Sequence, residues 1–380
     1  MTASMSPRMS ARDGRHLREL DWLMLAVVAL CCLGLVMSVS VLGPDVRVGP
    51  LQAMRQQGSK LLVGLIAFLV AAMTPMAVVR RLALPGLVVA ALLVWSTRVI
   101  AAPWNGAYRW IQIGTYQFQP VEMARFFLIA SVAMLLARAG DGIRTFWRGF
   151  APPMVCAGVV AGGLLQQPDH GSALIVLALA AILSVVAGVR MLHFVPFGLA
   201  GLIGFGALAI QHNYVVDRLT GFLQVKQASQ VGQSLVAIAA GGPFGRGLGQ
   251  GWMKMGFVPE AQNDFVFAIV AEELGYVGSL LVLVLFTVIG VVGYRLVCRI
   301  RDPFLRFLVC GYSLMLCMQA AVNLLVVSGW APAKGIDLPF VSTGGTSLVF
   351  GLAAVGLIGN AARQDLGSQV ALGGSVPGRQ

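Results

Sequence analysis

Uncharged apolar runs recur along the chain at 22–44, 61–79, 149–168, 170–189, 191–216, 274–294, 307–333 and 338–362. Each is close to the ~20 residues an α-helix needs to cross a bilayer core. Two further stretches have similar length with charges inside: 82–102 holds Arg98, and 118–137 holds Glu122 and Arg125. The pattern predicts an all-α polytopic membrane protein with about ten transmembrane helices. The first run is too long for a signal h-region and no small-residue cleavage pattern follows it, so it reads as a span. The connection 212–263, between predicted helices 7 and 8, is too long for an ordinary loop, and such loops are usually functional. Inside it, 227–240 has an amphipathic pattern that predicts an interfacial or re-entrant helix. The domain plan is a cytoplasmic N-terminal segment 1–20, a membrane domain 21–363 and a Gly/Ser-rich, disordered cytoplasmic tail 364–380.

Composition sharpens this picture. The chain is 58% hydrophobic and 11% charged, against roughly 45–50% and about 25% for a soluble domain. That excludes a cytosolic globular protein, a disordered protein and a disulfide scaffold. The net charge of +12 would suggest nucleic acid in a soluble protein. Here no basic cluster is interleaved with aromatics as strand binding requires, so nucleic acid is not a predicted partner. The short loops on one side are rich in Arg, which orients both termini to the cytoplasm. All four lysines, Lys60, Lys226, Lys254 and Lys334, fall on the other side. Cations gather there in loops 98–117, 212–263 and 328–337, which predicts an anionic ligand on that surface. The halves lack the paired broken helices of an inverted-repeat transporter.

Ionisable groups inside spans cost about 2.5–3.5 kcal/mol each on the insertion scale, so they need partners or a task. Glu122 and Arg125 are three apart and share a helix face; a mutual ion pair and the lining of a polar cavity both fit. Glu272 and Glu273 lie ~100° apart on a helix, so one can face a cavity while the other pairs with a base elsewhere. Asp264 opens the eighth helix, as an N-cap or as a reactive carboxylate. The run 241–251 (GGPFGRGLGQG), with Arg246, is no Walker loop; it suits an anion nest or a flexible turn. In 335–347 (GIDLPFVSTGGTS), the hydroxyls of Ser342, Thr343, Thr346 and Ser347 beside Gly344 and Gly345 suit helix capping or contact with sugar and phosphate. His170 reads as a packing or capping residue. No His/Cys/carboxylate cluster has metal spacing, and no Gly-x-Ser-x-Gly elbow occurs.

Several segments, in one order along the chain, resemble the SEDS family, the FtsW/RodA-type peptidoglycan glycosyltransferases. Tyr108-Arg109-Trp110-Ile111 with Gly114 is similar to its Arg-Trp-Ile block, and Gln119-Pro120-Val121-Glu122 with Arg125 to its Gln-Pro-Ser-Glu…Lys block. Gln167-Pro168-Asp169 with Gly171 resembles Gln-Pro-Asp-x-Gly. Gln233-Ser234 through Gly249 resembles the glycine-rich loop, and Pro259-Glu260, Asp264-Phe265 and Glu272-Glu273 the acidic block. Leu338-Pro339-Phe340, Ser342 and Gly344-Gly345 resemble the C-terminal signature. The chain departs from the pattern where Gln262-Asn263 replaces His-Thr and where Thr343 replaces Tyr. Pro332-Ala333-Lys334-Gly335 favours the division-type, FtsW-like branch over the RodA-like elongation branch.

The resemblance implies polymerisation of lipid II, a disaccharide-pentapeptide on undecaprenyl pyrophosphate, at the outer leaflet of a bacterial cytoplasmic membrane. It also implies a class B penicillin-binding transpeptidase and other division or elongation proteins as partners. An α-linked pyrophosphate replaced by a β-1,4 bond is a single inverting displacement. It needs one base, not the carboxylate pair of a retaining glycosidase. Asp264 is the expected base. Arg109, Arg218, Lys226, Arg246 and Lys254 are the expected partners of the pyrophosphate. Glu122, Arg125, Gln233, Ser234, Glu272, Glu273, Ser342, Gly344 and Gly345 complete the expected substrate-binding set. The sequence leaves open whether a divalent cation (Mg or Mn) takes part. The rival class is a lipid II flippase, for which charges would be spread through the depth of the membrane.

Overall fold

A computed structural model describes residues 13–42, 49–101, 108–114, 116–201, 229–255 and 262–373, with side chains from 18 to 365 apart from that of residue 113. Among these, ten helices carry the fold: α1 (Asp13–Leu42), α2 (Gly49–Met73), α3 (Met76–Ile100), α4 (Pro120–Ala139), α5 (Ala151–Gln166), α6 (His170–Ala187), α7 (Gln230–Gly241), α8 (Val266–Arg299), α9 (Pro303–Val327) and α10 (Gly345–Gly373). Nine candidate spans result, one on each of these helices except α7. The expected seventh span, 191–216, opens as the apolar helix Met191–Gly201; its remainder lies outside the described residues. The protein is an all-α polytopic membrane protein. A small antiparallel ribbon, β1 (Ile111–Ile113) with β2 (Tyr116–Phe118), precedes α4; apolar-run counting does not see it.

Boundaries moved where prolines and polar helix ends overrode the apolar count. The run 61–79 straddles a real break. Pro75 caps α3 from outside, and α2 instead starts at Gly49, taking Arg55, Gln57 and Lys60 into its first turns. Proline restricts the preceding residue away from the helical region, so the helix ends there. The run 307–333 likewise overshoots: α9 stops at Val327, before Gly329 with φ 75° and Pro332. α8 starts eight residues ahead of its apolar run and is interrupted at Gly275 (φ 67°, ψ −158°). The stretch 364–380, expected to be a disordered tail, is helical as far as Gly373.

α4 and α10 are the most enclosed spans, whereas α2 turns most of its apolar surface outward. Leu62, Val63, Ile66, Leu69 and Val70 are exposed along α2, as a lipid-facing surface should be. Between helices in lipid, close packing rather than hydrophobic expulsion holds the bundle. α2 and α10 meet through small residues: a Cβ at Gly356 would stand 2.5 Å from the Phe68 carbonyl, and one at Gly64 2.6 Å from Leu352. Helix direction alternates, so the starts of α2, α4, α6, α8 and α10 and the ends of α1, α3, α5 and α9 share one end of the bundle. The opposite end is pinned by Glu19–Arg299 at 3.0 Å and by Asp365, which accepts from the Arg301 and Asp302 N–H groups.

Enlarging Gly356 to Leu should therefore separate α2 from α10 and cost about 1–3 kcal/mol. A lower apparent Tm in detergent is the expected readout. Gly58→Ala, where nothing stands within 4 Å, should leave the Tm unchanged or raise it.

Candidate active site

Asp264 lies in the turn 262–265, ahead of α8. It is not the helix cap: Phe265 holds that position, without a side-chain cap bond. Its carboxylate instead rests against Gly335, where an added Cβ would stand 2.5 Å from Oδ2. A single buried amide sets this contact. Asn323 Nδ2 of α9 donates to the Asp264 carbonyl at 2.7 Å and to the Ile336 carbonyl at 2.6 Å. The C-terminal signature closes the turn from the other side. Ser342 Oγ donates to the Asn263 carbonyl at 2.6 Å and accepts from Leu338 N–H at 2.8 Å. Thr343 N–H donates to the Gln262 carbonyl at 3.1 Å, and its hydroxyl meets Asn263 Oδ1 at 2.6 Å. Both departures from the family pattern, Gln262-Asn263 and Thr343, thus touch each other and form one matched contact.

The same end of the bundle gathers the other charges. Glu122 and Arg125 pair at 2.5 Å on α4, both buried. Nε and Nη1 of Arg125 have no hydrogen-bond partner among the described residues, so the guanidinium retains donors beyond its ion pair. Asp169 caps α6, accepting from Ser172 N–H at 3.1 Å, and stands 3.6 Å from Arg109 and 3.8 Å from Lys334. Burial works against its charge, but Lys334, Arg109 and Ser172 outweigh that and hold its carboxyl below the ordinary value. Lys334 lies across Gly171, its Cδ, Cε and Nζ within 2.5 Å of where a Cβ would stand, so a side chain there would displace the lysine. Lys60 of α2 donates to the Thr343 carbonyl at 2.7 Å. Asp337 is pushed up to about 8 by burial, then by Asp264 and Glu122, with Arg125 and Lys60 pulling back. Five helix N-termini and four helix C-termini share this end, so the helix dipoles largely offset one another and the cationic side chains are what favour an anion.

The acidic pair on α8 does something else. Glu273 is fully buried; it accepts from Lys254 Nζ at 2.6 Å, from Ser40 Oγ at 2.7 Å and from Gly249 N–H at 2.9 Å. Glu272, also fully buried, accepts from Trp252 N–H at 2.8 Å and Met253 N–H at 3.2 Å. The glycine-rich loop is an anion nest, and the chain's own carboxylates fill it. Although ~100° apart on the helix, both glutamates hold the same loop, because that loop wraps the start of α8. Gly275, in left-handed backbone, allows the approach: a Cβ there would collide with the Gly245 backbone.

Of the expected site residues, Asp264, Glu122, Arg125, Arg109, Ser342, Gly344 and Gly345 come together at this end. Glu272, Glu273 and Lys254 form the separate scaffold just described. Ser234 is buried and donates to the Val231 and Val327 carbonyls, fastening α7 to the end of α9. Gln233 is half-buried on the same helix, and Arg246 is exposed, its Nε donating to the Ala240 carbonyl at 3.2 Å. Arg218 and Lys226, with Pro259 and Glu260, lie outside the described residues. Asp337, Lys60, Lys334 and Asp169 were not among the expected site residues. Asp337 sits in the glycine–hydroxyl stretch 335–347, and Lys60 reads from sequence alone as a loop cation. Among the described residues no group of three or more His, Cys, Asp or Glu is placed to hold a metal ion; the carboxylates at this end face Arg125, Lys60, Arg109 and Lys334 instead.

These features define an all-α integral membrane protein whose polar site sits at one end of its bundle rather than along a path through it. The chain belongs to the FtsW/RodA/SpoVE family: the family model, described as cell cycle protein, matches residues 21–366. Stage V sporulation protein E of Bacillus subtilis is 39% identical over 267 residues, covering 68% of this chain and 72% of that protein. The probable peptidoglycan glycosyltransferase FtsW of Geobacter sp. (strain M18) is 35% identical over 349 residues, covering 89% and 95%. A solved chain, described under structural coordination of polymerization and crosslinking by a peptidoglycan synthase complex, superposes with TM-score 0.74 at 30% identity, covering 90% of this chain and 97% of that one. Thermus thermophilus RodA superposes with TM-score 0.66 at 28% identity, covering 90% and 96%.

Removing one partner of a buried ion pair costs about 3–5 kcal/mol. Glu273→Ala should therefore release the 242–255 loop, and limited proteolysis should cut there at much higher rates than in the wild type.

Proposed function

We propose that this chain is a peptidoglycan glycosyltransferase that polymerises lipid II at the outer leaflet, with Asp264 as the base. The observation that carries the reading is that Asp264 and the buried, donor-rich Arg125 share one end of a bundle of this family. Its relatives named as probable peptidoglycan glycosyltransferases support the activity and the FtsW-like branch.

The chemistry follows from the groups present. The acceptor hydroxyl oxygen attacks the anomeric carbon of the donor as its proton passes to the Asp264 carboxylate. The β-1,4 C–O bond forms while the bond to pyrophosphate breaks, and the pyrophosphate leaves with the electron pair. Arg125 and Lys60, with Arg109 and Lys334 behind them, balance the charge that develops on the leaving group. The end bearing Asp264 is then extracytoplasmic, with both termini inside a bacterial cytoplasmic membrane. A class B penicillin-binding transpeptidase is the partner, a pairing in keeping with the synthase complex to which the solved relative belongs. A flippase would use charges spread through the bilayer; the ionisable groups of this cluster sit at one end.

A positioned general base is worth about 10²–10⁴ in rate. Asp264→Asn should lower polymerisation of labelled lipid II by at least about 10²-fold in detergent, with binding of lipid II retained. Equal glycan chains from both proteins would remove Asp264 from the mechanism.

A further inference from the structure

Two of the cations assigned to the pyrophosphate already face an anion of the chain itself. Arg109 Nε stands 3.6 Å from Asp169 Oδ2, and Lys334 Nζ stands 3.8 Å from Oδ1. These are ion-pair distances, but longer than the about 2.7–3.2 Å of a hydrogen bond. Arg109 Nε is buried and has no hydrogen-bond partner among the described residues; Nη2 of the same guanidinium donates to the Pro168 carbonyl at 3.2 Å. Lys334 Nζ donates to Ser172 Oγ at 3.3 Å. Asp169, in contrast, is buried and fixed, because its Oδ1 caps α6 by accepting from Ser172 N–H at 3.1 Å. The two cations reach it on long side chains from other connections, Arg109 from the segment before β1 and Lys334 from the stretch between α9 and α10. Lys334 also precedes Gly335, the residue on which the Asp264 carboxylate rests, and its side chain crosses the open face of Gly171. An anion arriving beside Asp264 thus meets two cations that a fixed carboxylate holds without hydrogen bonds.

We propose that Asp169 is a positioning residue for product release: it holds Arg109 and Lys334 while the site is empty, yields them to the pyrophosphate, and takes them back to free the lipid pyrophosphate once the sugar has been transferred. This rests on the reading of the site as one for a lipid-pyrophosphate donor. The leaving group of that reaction is itself a lipid-anchored dianion or trianion. Cations that stabilise it as it departs also hold it afterwards, so a repeating polymerase needs something that opposes the hold. A buried carboxylate fixed beside both cations supplies this. Each cation that turns to phosphate leaves Asp169 less compensated, and a buried charge without its partners is costly. The cost is levied for as long as the anion stays, and it is recovered when the anion goes. Asp169 touches no reacting atom in this scheme; it acts through Arg109 and Lys334.

The test is binding of undecaprenyl pyrophosphate to the full-length protein in detergent, read as Kd and dissociation rate, wild type against Asp169→Asn. Asparagine caps a helix about as well as aspartate, so α6 keeps its start and only the charge is lost. Close charge pairs in binding sites couple by about tenfold or more in affinity. Asp169→Asn should therefore tighten the Kd about tenfold and slow dissociation by a similar factor. Polymerisation of lipid II by the variant should be inhibited by correspondingly less added undecaprenyl pyrophosphate. In an Arg109→Gln, Lys334→Gln background the same change should alter the Kd by less than about twofold, because the coupled groups are gone. A merely structural role has the opposite sign, since a disturbed site binds the product more weakly. Unchanged or weaker binding by Asp169→Asn, or the same tightening in the background without the two cations, would overturn the proposal. Asp169→Ser, which also caps, repeats the comparison should Asp169→Asn fail to fold. Wild-type protein that does not bind undecaprenyl pyrophosphate overturns the proposal too. If the wild type binds it but does not polymerise lipid II, the glycosyltransferase reading fails, and the sign of the Kd change alone decides the role of Asp169.

Discussion

Asn323 holds the site together. Its single amide group bonds the carbonyl of Asp264 and that of Ile336, tying the entry to α8 to the long connection between α9 and α10. A buried amide in a membrane bundle has no water to fall back on, so a lost bond there costs the desolvation of whatever remains unpaired. That gives the turn a defined position without a helix cap. Ser342 and Thr343 then close over it. The Asp264 turn, the loop that carries Asp337 and the signature before α10 are registered against one helix face.

Charge in this protein is handled in two ways. On α8, Glu272 and Glu273 are fully satisfied by Lys254, Ser40 and the backbone of the glycine-rich loop, which makes them scaffold. Around Asp264 the satisfaction is partial: Arg125 spends one nitrogen on Glu122 and keeps two buried donors open. A buried group left with unused hydrogen-bonding capacity is costly unless a ligand uses it. This contrast separates architecture from site better than burial does, since both clusters are buried.

Much of this was legible in the sequence. Apolar runs identified the spans because length in a bilayer is a hard constraint. Helical spacing puts Glu122 and Arg125 on one face, and the motif singles out Asp264 as a candidate. The start of α2 was not legible, because Arg55, Gln57 and Lys60 look like a loop until the helix carries them to the end of the bundle. Nor was the break at Pro75 read from hydropathy, although proline chemistry names it. The occupant of the anion nest was invisible: an amide-rich loop signals that a carboxylate or phosphate belongs there, not whose. Asp337 was missed because its significance lies in its neighbours Asp264, Glu122, Arg125 and Lys60, which come from separate elements. The mutual fit of Asn263 and Thr343 was hidden for the same reason; two departures far apart in sequence are one contact in space.

The end of the bundle bearing Asp264 is the proposed seat of the pyrophosphate of a lipid-linked donor. A cryo-EM map of the full-length protein with a non-transferable lipid II analogue tests it most directly. The expected result is pyrophosphate density within hydrogen-bonding reach of Arg125 Nε and Nη1, with the sugar next to Asp264. Density for the pyrophosphate at the opposite end, beside Glu19 and Arg299, or midway along the helices, would contradict it.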